Sequence, residues 1–198
     1  MEAEEHAEAL FEANQQDTEG TNCAYLPYDP FADLKSYHSW LKENQGLEDP
    51  VFLAIVEKES GRPLGIASYL RIHPAEGSIE VGHIHFSPLL QRTTSATESM
   101  FLLMQWAFEA GYRRYKWKCN ALNQASRRAA QRLGFSFEGI FRQMMIVKVR
   151  NRDTAWFAAI DSEWPALKAA FEHYLDEKNV DEEGKPMTCL SSLAAPLL

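Results

Sequence analysis

The stretch "SPLLQRTTSATESM", Ser87 to Met100, gathers more hydrogen-bond donors at one helix start than that start requires. An alternating strand pattern precedes it and a strongly apolar helical pattern follows it. Ser95-Ala96-Thr97-Glu98 fits a capping box, in which Ser95 caps the helix and Glu98 reaches back to its amide. Gln91, Arg92, Thr93 and Thr94, directly before, are surplus to that role. Beside the positive end of a helix, successive amides form an anion site, and hydroxyls and a guanidinium add charge-assisted contacts. Loops that cradle phosphate are usually rich in glycine, and this one has none. A capped helix start and a phosphate loop both fit the stretch.

The strand "SIEVGHIHF" before it carries three further polar groups. Glu80, on an alternating strand, reads as a solvent-facing charge. His83 and His85 share the opposite parity. As a metal pair they need a third ligand and an open position, and nothing nearby in the sequence supplies either. No metal is expected.

These groups must be held by the elements around them. Residues 2–14 form an amphipathic helix with Ala7, Leu10 and Phe11 on one side, and "ADLKSYHSWLKEN" forms a second ending near Gly46. "VFLAIVEK", "LGIASYLRIH" and "SIEVGHIHF" read as an antiparallel meander with turns at "ESGRP" and "PAEG". Helix 96–110 has only Glu98, Gln105 and Glu109 as a wet stripe, and Gly111 ends it. "YRRYKWKCN" is a strand, Asn123 caps a short helix through "QASRRAAQRL", and Gly134 closes that helix. "FSFEGIFRQMMIVKV" is one long or bulged strand, "RNRD" turns it into "TAWFAAI", and "DSEWPALKAAFEHYL" is a last amphipathic helix with Pro165 in its first turn. The class is α/β of the α+β kind, without the βαβ alternation of a dinucleotide-binding fold. One domain is expected over residues 1–176, followed by a polar, flexible tail over 177–198.

Composition narrows the role. The chain has 198 residues, 45% of them hydrophobic and 12% aromatic, enough for one substantial core. Its formal net charge of −8 excludes a general nucleic-acid binder and suits cationic amine substrates. Cys23, Cys119 and Cys189 have no CxxC spacing and read as reduced thiols of an intracellular protein. The acidic start "MEAEEHAEAL" is unlike a signal peptide, and no apolar run is long enough to span a membrane. A cytoplasmic location is expected, without membrane partners, as a monomer or homodimer.

"EVGHIHFSPLLQRTTSATESM", with the later "FEAGYRRYKWKCNALNQASRRAAQRLGFSFEGIFR", resembles the GNAT superfamily of acyl-CoA N-acyltransferases. Within it the likeness is to the branch of RimJ/RimL-type ribosomal-protein N-terminal acetyltransferases. The matching residues are Gln91 to Ala96, Thr97-Glu98-Ser99, Asn123-x-x-Ser126, Leu133-Gly134-Phe135 and Glu138-Gly139. "RDTAWFAAIDSEWP" resembles the same branch's closing hairpin and helix start, so the likeness runs from Val51 to Pro165.

The resemblance implies a GNAT fold: a mixed, mostly antiparallel central sheet with helices on both faces. It implies direct transfer of acetyl from acetyl-CoA to the amine of a small molecule or a polypeptide N-terminus. Glu80, eleven residues before Gln91, is similarly placed to the strand glutamate that serves as base in GNAT histone acetyltransferases. Amides near Ile84, His85 and Phe86 would pair with the pantetheine arm and polarise the thioester carbonyl. The pyrophosphate would rest on Gln91, Arg92, Thr93, Thr94, Ser95, Ala96 and Thr97, with Asn123 and Ser126 as further cofactor contacts. Arg128 would reach the cofactor's phosphates or adenine, while Arg127 and Arg132 read equally as a solvated basic face.

Three departures stand out. Thr94 occupies the place of the family's glycine, and Arg92 a place that is often glycine too. Ala130 stands where the family often has a tyrosine that protonates the leaving thiolate. The strand that usually precedes the first helix is missing or replaced. A non-catalytic acyl-CoA-binding module is the alternative these departures keep open.

Overall fold

The computed structural model describes residues 1–181, 183 and 186–194. Among the described residues six helices, α1 (Ala3–Asn14), α2 (Leu34–Asn44), α3 (Thr94–Glu109), α4 (Gln124–Arg132), α5 (Trp164–Leu175) and α6 (Leu190–Leu193), accompany six strands. The strands are β1 (Val51–Val56), β2 (Pro63–His73), β3 (Ser78–Phe86), β4 (Arg114–Asn120), β5 (Ser136–Val147) and β6 (Arg150–Ile160). They form one sheet in the order β1-β2-β3-β4-β6-β5. The β1/β2, β4/β6 and β5/β6 pairs are antiparallel. The expected mixed, mostly antiparallel architecture is therefore observed. Among the described residues no strand precedes α1, and the Met1 ammonium donates to the Phe52 carbonyl at 3.4 Å.

The chain forms two compact units, residues 1–72 with 80–96 and residues 73–79 with 97–198. In the first, Ala3, Ala7 and Leu10 of α1 recur at helical spacing and are buried. They pack with Tyr37 and Leu41 of α2, Phe52 and Ile66. Asp33 starts α2 with a capping box, its carboxylate accepting from the Ser36 amide at 2.7 Å.

In the second unit one face of β4 and β6 buries Tyr115, Trp117, Phe157 and Ala159, and the intervening Lys116 and Ala158 are buried on the other. The apolar face of α5 adds Phe171, which stacks on Phe101 with centroids 5.2 Å apart. Gly111 and Gly134 end α3 and α4 in left-handed conformations, at φ +91° and +84°. A Cβ on Gly134 would also meet Leu167 Cδ2 at 2.3 Å, so a side chain there would have to displace Leu167 as well as hold a left-handed backbone.

Two boundaries differ from expectation. Helix α3 begins at Thr94, two residues earlier than its apolar pattern indicates. The hairpin turns at Lys148-Val149, between the paired Val147 and Arg150, and "RNRD" belongs to β6. Both turn residues have positive φ, 49° and 60°, the geometry whose twist matches two paired strands. No Asn-Gly signature marks it, which hides it in the sequence. Beyond residue 177, where a polar tail was expected, the described residues carry definite elements. Asn179 is buried and its side chain bonds to the Tyr174 and Thr188 backbones, while Leu190 is 1% exposed.

Candidate active site

The first unit holds most of the residues singled out from the sequence. Glu80 is not the solvent-facing charge that strand alternation predicts: it is 2% exposed. Ser78 through Val81 are all buried, so this part of β3 is covered on both faces and alternation gives no exposed side. The carboxylate is held by Arg71, whose Nη1 donates to Oε1 at 2.5 Å. Arg71 is left-handed, at φ 49°. Asp49 fixes that kink, accepting from the Arg71 amide at 2.8 Å and the Ile72 amide at 3.1 Å.

The two histidines of β3 have separate surroundings. His83 is also left-handed, at φ 47°, and its Nδ1 shares a 2.7 Å hydrogen bond with the Ser68 hydroxyl. Its ring lies 5.0 Å from that of Phe52. Burial, and then the nearby Arg71 charge, lower its pKa. His85 is 5% exposed, its Nδ1 is 3.4 Å from the Tyr28 hydroxyl, and burial lowers its pKa to about 4. Burial also raises the Tyr28 phenol well above its ordinary value, so it stays protonated. Among the described residues no group of three or more His, Cys, Asp or Glu could hold a metal ion.

At the start of α3 the cap is Thr93 and not Ser95. The Thr93 hydroxyl accepts from the Ala96 amide at 3.1 Å and donates to the Leu90 carbonyl at 2.6 Å. The anticipated Ser95/Glu98 box is displaced because the helix already starts at Thr94. That Thr94 is helical answers the question of the missing glycine: it needs no left-handed backbone. Arg92 has taken that conformation instead, at φ 63°, with its side chain exposed. No acidic side chain stands in the helix's first turn. Ser95 and Ala96 are half-buried, and Ala96 packs beside Leu64 and Leu90.

Gln91 donates to the Phe86 carbonyl at 2.8 Å and to the Asn22 side chain at 2.7 Å. Asn22 in turn donates to the same Phe86 carbonyl at 3.3 Å. Ile84 and Phe86, at the end of β3, are half-buried.

The second unit holds Thr97, Asn123, Ser126 and Arg128. Thr97 is 3% exposed and its hydroxyl accepts from Arg132 at 3.1 Å. Arg132 also donates to the Tyr174 hydroxyl, so it braces the fold rather than presenting a free cation. Asn123 caps α4, accepting from the Ser126 amide at 3.0 Å. The Ser126 hydroxyl accepts from the Trp117 indole at 3.0 Å. Arg127 donates to the Ala121 carbonyl, Arg128 is exposed, and Ala130 is fully buried.

Three site residues escaped the sequence reading: Arg71, Asp49 and Asn22. Each acts through a partner 9 to 69 positions away, so only strand register reveals them.

The profile of the family described as "Acetyltransferase (GNAT) domain" matches residues 2–136. A GCN5-related N-acetyltransferase from Brucella melitensis is 44% identical, with TM-score 0.94, over 98% of this chain and 88% of its own. A GNAT-family acetyltransferase structure from Chromobacterium violaceum is also 44% identical, with TM-score 0.78, over 84% and 83%. RimL, a ribosomal-protein α-N-acetyltransferase in complex with coenzyme A, is 21% identical and shares the fold at TM-score 0.68, over 82% and 92%. No curated protein sequence matches the chain at comparable stringency. These likenesses lead to one assignment: the chain belongs to the GNAT family of acetyltransferases, enzymes that use acetyl-CoA.

Proposed function

We propose that this enzyme acetylates the primary amine of a small molecule or a polypeptide N-terminus by direct attack, as a member of the RimJ/RimL-type branch. The observation carrying the donor side is the start of α3. Gln91, Thr93 and Ala96 have their amides bonded within the turn, which leaves the Arg92, Thr94 and Ser95 amides at the helix start, the Thr94 and Ser95 hydroxyls, an exposed Arg92 and a first turn without acid to meet an anion. A diphosphate fits such a donor set. When bound there, acetyl-CoA supplies the acyl group as an activated thioester. Backbone amides at Ile84 to Phe86 polarise the acyl carbonyl, and the Gln91–Asn22–Phe86 hydrogen bonds fix the end of that strand. Asn123, Ser126 and Arg128 are assigned to the donor from their motif positions, with Asn123 and Ser126 also serving the fold.

The acceptor must lose a proton to become nucleophilic. Glu80 takes that role through water, since its own carboxylate is buried and Arg71 holds it in place. The branch assignment rests on Thr97-Glu98, Asn123-x-x-Ser126, Leu133-Gly134-Phe135 and Glu138-Gly139. Thiol release from acetyl-CoA across a panel of amines tests the activity. Glu80→Gln should lower turnover mainly below about pH 8, where the acceptor is chiefly ammonium. An unchanged pH–rate profile removes Glu80 as base.

A further inference from the structure

The first unit carries a half-open cleft of about 550 Å³, within the usual volume range for small-molecule sites. Its walls come from the end of α1, residues 17–23, the Pro30–Ala32 segment, Tyr37 of α2 and His85 of β3. Three observations define what it can hold.

The first is charge. Asp17 and Glu19 line the cavity, and no Lys or Arg does. His85 adds no positive charge near neutral pH, because burial outweighs the opposing field of Asp17. An anionic ligand would meet two carboxylates with nothing to offset them, whereas a cation is favoured. The second is shape and polarity. Phe11, Phe31 and Tyr37 form an aromatic wall, with ring centroids 5.0 Å apart for Phe31 and Tyr37 and 6.0 Å for Phe11 and Tyr37. Such faces suit a flat apolar body and attract a nearby ammonium. The third is an unmet acceptor. Asn14 borders the cavity, and its Oδ1 is buried with no hydrogen-bond partner among the described residues.

We infer that this cavity, which Glu80 does not line, holds the body of the acceptor, and that it selects a small monoamine with an aromatic or compact apolar body and no carboxylate. The inference rests on the proposed acetyl transfer and names the substrate class within it. Asp17 and Glu19 draw in the ammonium, the rings hold the body, and a free amino acid is rejected by its own carboxylate. Asp17 is also bonded to the Asn22 amide at 2.8 Å and to Thr21 at 3.1 Å, so it is preformed on its loop. Glu19 is exposed.

The test uses the full chain with 2-phenylethylamine, phenylalanine and a short peptide with a free N-terminus. The direct binding of each amine is measured by calorimetry, and its acetylation by thiol release. Phenylethylamine should bind and react with kcat/KM at least about thirtyfold above that of phenylalanine. Glu19→Gln should raise KM for phenylethylamine about threefold and Asp17→Asn about tenfold, with KM for acetyl-CoA moved less than about twofold. Glu19→Gln keeps the test open where Asp17→Asn disturbs its loop. Acetylation of the peptide with no binding of phenylethylamine overturns the inference and leaves the acetyltransferase reading intact. Failure to bind acetyl-CoA, measured separately, would instead remove that reading, and this inference with it.

Discussion

Among the described residues six non-glycines hold left-handed backbone conformations, three in each unit. Arg71, His83 and Arg92 lie in the first, and Gln143, Lys148 and Val149 lie on the β5–β6 hairpin of the second. Local devices in the two sets are alike. Asp49 accepts from the Arg71 amide at 2.8 Å, and Asp153 accepts from the Gln143 amide at 2.7 Å. Their products differ. The hairpin set only shapes backbone: Lys148-Val149 closes a two-residue turn, and Gln143 sits where the β5/β6 register shifts. Each residue of the first set re-aims a side chain, Arg71 toward Glu80, His83 toward Ser68, and Arg92 outward at the start of α3. Strain of about 1–3 kcal/mol per residue persists where surrounding structure fixes it, and at functional positions it serves chemistry.

Four outcomes sharpen or break this contrast. The largest is Arg71→Leu, which leaves the Glu80 carboxylate buried without its guanidinium. With Arg71 about half in solvent, the expected loss is about 3 kcal/mol, read from urea unfolding, and Arg71→Leu/Glu80→Leu should recover most of it. A loss no larger than that of a surface change would reduce the pair to ornament.

Next is acid sensitivity. His85 has its pKa lowered from 6.5 to about 4 in the fold, and that of His83 is lowered too. A depressed histidine means that the unfolded chain binds more protons within this window. Stability is therefore full above pH 6.5 and falls as pH drops toward 4, by up to about 3 kcal/mol for His85. His85→Gln should flatten the difference between urea midpoints at pH 7 and 4.5. The lowered Asp153, kept so mainly by the Gln143 amide, should add its loss only near and below its ordinary range of about 4.

Arg92→Gly comes third. Removing the left-handed strain should stabilise by about 1 kcal/mol, while loss of the guanidinium weakens acetyl-CoA binding about tenfold. Opposite signs in thermal and binding measurements are the signature; equal signs would make Arg92 a mere turn residue. Smallest is Val149→Gly, a β-branched residue 97% exposed at φ 60°. It should stabilise by roughly 0.5–1 kcal/mol and leave kcat/KM untouched.

Much of the framework was legible from local pattern. β3 spans the "SIEVGHIHF" segment, Gly111 and Gly134 end their helices, and Asn123 caps α4, because each follows from alternation, positive φ or a short side-chain bond within three residues. The surplus donors before α3 were likewise visible, and we propose that they take the cofactor's phosphates. The details of that turn were not. Ser95 and Thr93 are both competent caps, and the start of α3 at Thr94 makes Thr93 the cap. Glu80 read as exposed because alternation assumes one wet face, and nothing in "SIEVG" states that both faces of β3 are covered.

By itself the sequence determined the elements, the class of fold and the family of chemistry, since periodicity, caps and turn residues act over a few positions. The tertiary structure alone decided that Arg71 meets Glu80, that Asn22 ties Gln91 to Phe86, and that Asp17, Glu19 and His85 border one cavity. Those partnerships depend on register and on which segments the core brings together, and burial then makes each unpaired alternative costly.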